Sequence, residues 1–395
     1  MNNFKRTVFG LQHLLACFGA TTLVPLLLGM DVAVALFAAG AGTLAFHFIT
    51  EGKVPVFLGS SFAFIPVIAS IIATTDSIPH AQSGIIAAGL VYVFISLMVG
   101  RYGIDVIKSI FQPHIMSTII VIVGLSLVPV AFNMSMYFFP LALATFAIIL
   151  IVMAFGEGTM RQMAILIGLS AGYVIGLALN YVDTTAIGAA PWFAVPNFTF
   201  PILYWPAILT MIPVVIAVFM EHLGDITANQ QVVDKDFISD PGLNRTLMGD
   251  GVATVIAGFV GGPPNTTYSE NTGVLAVTKV YDPVVLRIAA VMAIILAFSS
   301  KIGVVFSTIP VPVMGGASMM MFGMIAIIGA KGWYEHRVYA TPYKLLTVVI
   351  MLFVGLQPFW SARCATIEFS GVALSAIVGL IMVGIQGLWR KFKKE

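Results

Sequence analysis

Charge is scarce in this chain. Lys and Arg number 19 and Asp and Glu 17 in 395 residues, or 9% charged, where soluble domains carry about 25%. A soluble enzyme or a nucleic-acid-binding domain could not cover its surface with so few charges, and the formal net charge of +2 leaves no footprint for a polyanion. Cysteine is scarcer still: Cys17 and Cys364 cannot build a disulfide framework, and no C-x-x-C or His/Cys cluster marks a metal site. No G-x-x-x-x-G-K-[ST] pattern occurs, which argues against ATP hydrolysis. What the chain has instead is apolar mass. Hydrophobic residues make up 59% and the mean hydropathy is +1.02. This is the composition of a polytopic membrane protein.

A bilayer-spanning helix needs roughly 20 mostly apolar residues. Windows of that kind predict spans near 9–29, 32–50, 82–99, 115–132, 138–155, 163–181, 203–224, 284–300, 311–330, 342–358 and 369–388. Three weaker stretches, 57–74, 247–262 and 264–278, bring the count to about fourteen. The short polar start reads as the flank of a mature span rather than a cleaved signal peptide. If all segments cross and the N-terminus is cytoplasmic, every Lys and Arg except Lys301 and Arg363 falls inside, the positive-inside bias. Both termini are then cytoplasmic. Dropping any one weak segment scrambles the bias.

The weak segments carry the functional signal. Gly59-Ser60-Ser61-Phe62 and Asn265-Thr266-Thr267-Tyr268 share a hydroxyl pair followed by an aromatic, at an offset of 206 residues. Seven crossings per half is an odd number, so the second half enters the membrane inverted. Interrupted hydrophobic segments in matching places of inverted halves point to a transporter's binding site, although two tripeptides alone can match by chance.

Most acids fall in predicted loops, among them Asp31, Asp76, Asp183, Asp234, Asp236, Asp240 and Glu335. Three do not. Glu221 and Asp225 follow the apolar run 208–220 one helical turn apart, on one face. Glu270 lies within 264–278. Carboxylates at membrane depth are costly and mark substrate or proton paths. The plainer explanations are a cytoplasmic helix end for the first two and a pairing with a base such as Lys279 for the third. Around Glu270, Pro263 and Pro264 with the β-branched Thr266 and Thr267 favour extended backbone, which lipid tolerates only where it lines a cavity or is buried in protein. Its N–H groups would face that cavity beside the positive end of the following helix, and residues 58–64 would do the same from the other half. Backbone donors, carboxylate acceptors and the faces of Phe62 and Tyr268 suit a flat ring of alternating C=O and N–H groups. Nucleobases are such rings.

These residues resemble those of the nucleobase–ascorbate transporter family, also called nucleobase:cation symporter-2, and within it the bacterial uracil permease branch. The landmarks are Gln12-His13-Leu14, Phe18-Gly19-Ala20-Thr21, Leu58-Gly59-Ser60-Ser61-Phe62-Ala63-Phe64 and Glu221-His222-Leu223-Gly224-Asp225. The signature of an acid or Gln, then Asn-x-Gly, four residues, Thr and a base appears as Glu270-Asn271-Thr272-Gly273 through Thr278-Lys279. The resemblance covers nearly the whole chain. It implies an all-α polytopic membrane protein of about 14 transmembrane segments in two inverted 7-segment repeats, with a short strand in segments 3 and 10. It further implies a core domain from residues 1–114 and 203–305 and a gate domain from 115–202 and 306–395.

By the same resemblance Glu221 and Glu270 hold the base, and the backbone amides of Phe62 and Ser269 donate to its carbonyls. Phe62, Tyr268 and Ala20 shape the pocket, while His13, Ser61, Asn271 and Thr278 support it. Two positions depart from the uracil permease pattern: Asp225 stands where that permease has a proton-linked histidine, and Ser269 where it has glycine. An Asp can bind a proton reversibly, so Asp225 and Glu221 are the proton-coupling candidates. The implied function is uracil import by proton symport through the bacterial cell membrane, with no cofactor, H+ as coupling ion (Na+ the other candidate) and a homodimer through the gate domain. A xanthine or purine carrier is the nearer alternative and an anion carrier of the same fold the remoter one. A non-transporting scaffold is a third.

Other motifs have plainer readings. His222 is expected to be structural, and His47, His80, His114 and His336 to sit at span ends or loops. The ridge Gly168-x-x-x-Gly172-x-x-x-Gly176 is expected to allow close helix packing within the chain, a dimer seam being the alternative. Trp192, Trp205, Trp333, Trp360 and Trp389 fit an interfacial belt.

Overall fold

The computed structural model describes residues 2–103, 112–356, 362–364, 367–369 and 371–392. Trp360 lies outside them, as do the side chains of Arg363, Cys364 and Trp389. In lipid each backbone N–H and C=O must be satisfied within the protein, which makes helix the default. Helix α1 (Asn3–Leu28) starts at Asn2, whose side chain accepts from the Phe4 N–H at 3.0 Å, and stops at Gly29 with φ of 66°, a conformation glycine adopts without strain. Helix α2 (Val32–Ile49) is capped by Asp31, one oxygen accepting from the Ala33 N–H at 2.7 Å and the other from the Asn197 N–H at 3.1 Å.

Strand β1 (Leu58–Ser60), α3 (Ile65–Thr75), α4 (Ile78–Tyr102), α5 (Pro113–Met136), α6 (Phe139–Phe155), α7 (Gly158–Gln162), α8 (Ala164–Ala178) and α9 (Thr185–Ala189) follow. After α10 (Trp205–Met211) come α11 (Val214–Val233), α12 (Leu243–Val260), β2 (Asn265–Thr267), α13 (Ser269–Thr278), α14 (Pro283–Ala297) and α15 (Ser300–Ser307). The chain closes with α16 (Val311–Glu335), α17 (Pro342–Leu356), the hairpin β3 (Ala362–Cys364) and β4 (Ile367–Phe369), and α18 (Gly371–Phe392).

Among the described residues six helices, with Trp205–Val233 counted as one span, are long and apolar enough to cross a membrane. Five shorter apolar helices accompany them. The chain is a multi-pass membrane protein. Two expected spans take a different form. The stretch 203–224 breaks at Pro213, which lacks an N–H and crowds the preceding turn, and then continues to Val233. Glu221 and Asp225 therefore sit inside a helix, which overturns the helix-end explanation. The stretch 284–300 bends by 80° between α14 and α15. There Ser299 is extended, with φ of −86° and ψ of 97°, as a serine favours ahead of a new helix. His47 lies in the last turn of α2 and His114 in the first turn of α5; both are buried, and His47 Nε2 pairs with the Val56 carbonyl at 2.9 Å.

Packing sorts the helices into two groups, each drawing on both halves of the sequence. Helix α12 lies on α4 and α2, and α14 lies on α2 and α1. Separately, α16 lies on α5 and α6, α6 on α8, and α17 on α18 and α5. The glycine ridge is used inside the chain: Gly168 faces Ile149, Gly172 faces Thr145 and Val313, and Gly176 faces Pro310.

The two interrupted stretches meet each other. Strands β1 and β2 pair antiparallel, Leu58 with Thr267, Gly59 with Thr266 and Ser60 with Asn265. Side chains and turns satisfy the remaining backbone. The Thr43 hydroxyl accepts from the Leu58 N–H at 2.9 Å, the Pro264 carbonyl from the Ser61 N–H at 2.8 Å, and the Phe57 carbonyl from the Tyr268 N–H at 3.3 Å. Asn265 donates to the Ala38 carbonyl at 2.8 Å while its own carbonyl accepts from Thr254 at 2.8 Å. Extended chain thus survives because protein, rather than water, supplies these bonds. Helices α3 and α13 start just beyond the strands. With 11 and 10 residues each rises only about 15 Å, half the hydrocarbon thickness.

Candidate functional site

A cavity of about 720 Å³ opens where β2, the start of α13 and the middle of α11 face the second helix group. Helix α11 supplies Glu221 and Asp225 from one face, and the turn from β2 into α13 supplies Thr267, Tyr268, Ser269 and Glu270. Phe62 enters from beyond β1. The opposite wall is apolar, with Met153 from α6 and Met321, Met324 and Ile325 from α16, and Arg161 and Glu157 lie beside α7 on the same cavity.

Glu221, Asp225 and Glu270 are half-buried and have no ion-pair partner among the described residues. The expected alternative of a Glu270–Lys279 pair is not made. Asp225 is held by a neutral donor, the Thr267 hydroxyl, at 3.1 Å. The backbone N–H groups of Phe62 and Ser269 likewise have no hydrogen-bond partner among the described residues. Ser269 opens α13, where unpaired N–H groups and the helix dipole concentrate partial positive charge. The cavity therefore joins carboxylate acceptors, backbone donors and the Phe62 and Tyr268 rings. It can accept from N–H groups and donate to C=O groups of one planar ligand.

The supporting residues lie around it. His13 Nδ1 and Asn271 Oδ1 are 2.8 Å apart, so the ring nitrogen donates, and Asn271 Nδ2 donates to Cys17 Sγ at 2.7 Å. That chain ties α1 to α13 beneath Glu270. Ser61 is buried, its N–H held by Pro264 and its hydroxyl without a partner among the described residues. Ala20 is buried and is not among the lining residues. The Thr278 hydroxyl donates to the Val274 carbonyl at 2.8 Å in the last turn of α13, and Thr278 is not among the lining residues.

Sequence reasoning missed several members. Asp250 of α12 is fully buried and pairs with His222 Nδ1 at 2.7 Å, while His222 Nε2 meets the Thr246 hydroxyl at 2.9 Å. The signal was present, an acid three residues into the weak apolar stretch 247–262, but its partner is 28 residues away in sequence. Glu157, Arg161 and Gln162 carry no sequence motif and would pass for an ordinary loop. Instead Gln162 donates to the Gly273 carbonyl at 2.6 Å and Gln12 to the Thr159 hydroxyl at 2.7 Å, tying α7 to α13 and α1.

A sequence profile described as "Permease family" matches residues 4–362. The uracil permease of Bacillus caldolyticus is 39% identical over 94% of this chain and 90% of its own length. The uracil permease of Bacillus subtilis (strain 168) is 39% identical over 96% and 92%, and that of Escherichia coli (strain K12) is 36% identical over 94% and 88%. Among solved structures, the transmembrane domain of a cyanobacterium bicarbonate transporter, BicA, superposes with a TM-score of 0.64 at 14% identity, covering 97% of this chain and 98% of that one. The murine Slc26a9 anion transporter in the inward-facing state gives 0.73 at 10% identity, covering 98% and 69%. These two likenesses are of fold.

Proposed function

The chain belongs to the Permease family, to which its similarity to bacterial uracil permeases also assigns it, and on that premise we propose that it imports uracil by proton symport. The observation that carries this reading is the meeting of Glu221 and Glu270 with the unpaired N–H groups of Phe62 and Ser269 at one cavity. Uracil has two ring N–H groups and two C=O groups. Glu221 and Glu270 accept from the former, the two backbone amides donate to the latter, and Phe62 and Tyr268 flank the ring. Charge-assisted bonds of this kind contribute about 1.5–3 kcal/mol each.

Asp225 carries the coupling proton beside Glu221. Protonation removes one of three like charges from the cavity and so favours loading, which is the physical basis of coupling. The helices of residues 1–114 and 203–305 form the core, those of 115–202 and 306–395 the gate, and the core moves against the gate to expose the site to each side in turn. The division of packing into two groups supports this. The bias of Lys and Arg supports an orientation with both termini cytoplasmic, and the bacterial uracil permeases it resembles support a cell membrane location.

The test is [14C]uracil uptake by purified protein in liposomes. An inward proton gradient is expected to drive accumulation, a sodium gradient to have no effect, and a protonophore to abolish it. Sodium-driven uptake would overturn the choice of ion. Uptake competed by xanthine and uric acid better than by uracil would overturn the substrate.

A further inference from the structure

Thr267 joins two carboxylates that belong to different surroundings. Its hydroxyl donates to Asp225 Oδ2, at 3.1 Å, on the cavity side. Its N–H donates to Asp250 Oδ2, at 3.4 Å, on the sealed side. Asp250 is held in turn by His222 at 2.7 Å, and the second ring nitrogen of His222 is engaged by Thr246. With both ring nitrogens bonded and both residues fully buried, neither partner is free to turn. The β2 backbone is therefore fixed from behind, and the stiff χ1 of a β-branched residue passes that fixity to the hydroxyl. Asp225 accordingly meets a donor in one place rather than a water that can leave.

We propose that Thr267, anchored by the Asp250–His222 pair, is a positioning residue for proton coupling whose hydroxyl sets the pH at which Asp225 gives up its proton. The inference rests on the uracil–proton symport reading. An O–H donor stabilises an ionised carboxylate over its protonated form, so the hydroxyl favours proton release once substrate has crossed. The other titratable groups around Asp225 are Glu221 and His222 on its own helix, Asp250 on α12, Glu270 on α13, Tyr268 just past β2 and Tyr92 on α4, with Arg161 and Glu157 across the cavity. Helix α5 contributes only His114, which lies by Lys344 and His336 instead. Helix α10 contributes no acid or base, and α18 carries its only charged residues, Arg390 and Lys391, in its last turn. All of these groups stay in place when only the Thr267 hydroxyl is altered.

The experiment measures initial uracil uptake in liposomes against external pH for wild type, T267S and T267V, with thermal unfolding as the check on folding. T267S keeps both donors and should reproduce the wild-type profile. T267V keeps the N–H and the shape but loses the hydroxyl. Asp225 then holds its proton to higher pH, and the alkaline limb should move up by about one pH unit. An unmoved limb in folded T267V overturns the inference, and so does a folded but inactive T267S. If T267V does not fold, T267A takes its place with the same expectation. Wild-type protein that takes up no uracil, or does so independently of pH, would instead overturn the reading on which the inference rests.

Discussion

The Tyr268 ring lies so close to Gly59 that a Cβ on the glycine would overlap its edge, and the Tyr268 hydroxyl donates to the Ser60 carbonyl at 2.8 Å. The end of β2 is thus clasped to β1 by one ring that also lines the cavity. Gly59→Ala must displace that ring. It is expected to raise the KM for uracil at least about tenfold and to lower the melting temperature. Tyr268→Phe keeps the ring and loses one hydrogen bond, a cost of about 1 kcal/mol. It should retain most of the uptake. Radiolabel uptake and thermal unfolding of both variants check this, and equal damage in the two would show that the hydroxyl rather than the ring holds the strands.

Glu221→Gln and Glu270→Gln each keep shape while removing a charged acceptor. Loss of about 1.5–3 kcal/mol of binding is a roughly 10- to 100-fold weaker complex. Uptake of [14C]uracil should fall to the background of empty liposomes, with both variants inserted in the membrane and monodisperse. Wild-type uptake by either would remove that residue from the site.

The long apolar helices and the two interrupted stretches were legible in the sequence because hydropathy and proline placement are local properties. Three features were not. The pairing of β1 with β2 joins residues more than 200 positions apart, and nothing in either tripeptide specifies its partner. Asp250 looked like one acid in a weak apolar stretch, because only folding brings His222 to it. The continuation of α11 to Val233 was hidden by Glu221 and Asp225 themselves, whose charge ended the apolar window while the cavity beside them allowed the helix to go on. Acids that line a cavity within a bundle interrupt the same hydropathy signal used to find its spans.

A charge network outside the membrane gives a pH prediction. Glu51 bonds Lys53 at 2.8 Å and also Arg245, while Lys53 reaches Asp240 at 2.5 Å. Lys53 first, and Arg245 with it, hold the Glu51 carboxyl below the usual carboxylate range. A lowered carboxyl stabilises the fold above its ordinary pKa and loses that contribution as pH falls through the lowered value. Glu51→Gln should therefore melt slightly below wild type at neutral pH and low salt. The difference should close in acid, and also in about 1 M salt, where the screening length is about 3 Å. Melting curves across pH and salt check this; a gap that persists in both conditions would point to packing rather than charge.

Helices α4 and α12 cross backbone to backbone at two glycines. A Cβ on Gly89 would come within 2.7 Å of the Gly251 carbonyl oxygen, and one on Gly251 within 2.9 Å of that of Gly89. Small residues permit this approach, which in lipid gains contact energy that hydrophobic burial cannot supply. Backbone cannot step aside as a side chain can, so Gly89→Ala forces the helices apart and costs about 1–3 kcal/mol. The crossing also seats Asp250, the neighbour of Gly251, against His222, so the damage should reach the site as a loss of uptake. Gly384→Ala on α18 is the control, since among the described residues an added Cβ there meets nothing within 4 Å. A glycine inside a helix costs roughly 0.5–1 kcal/mol relative to alanine. The same substitution should therefore raise the melting temperature at 384 and lower it at 89. A rise at both positions would mean that helix propensity, and not the close crossing, governs how this bundle holds together.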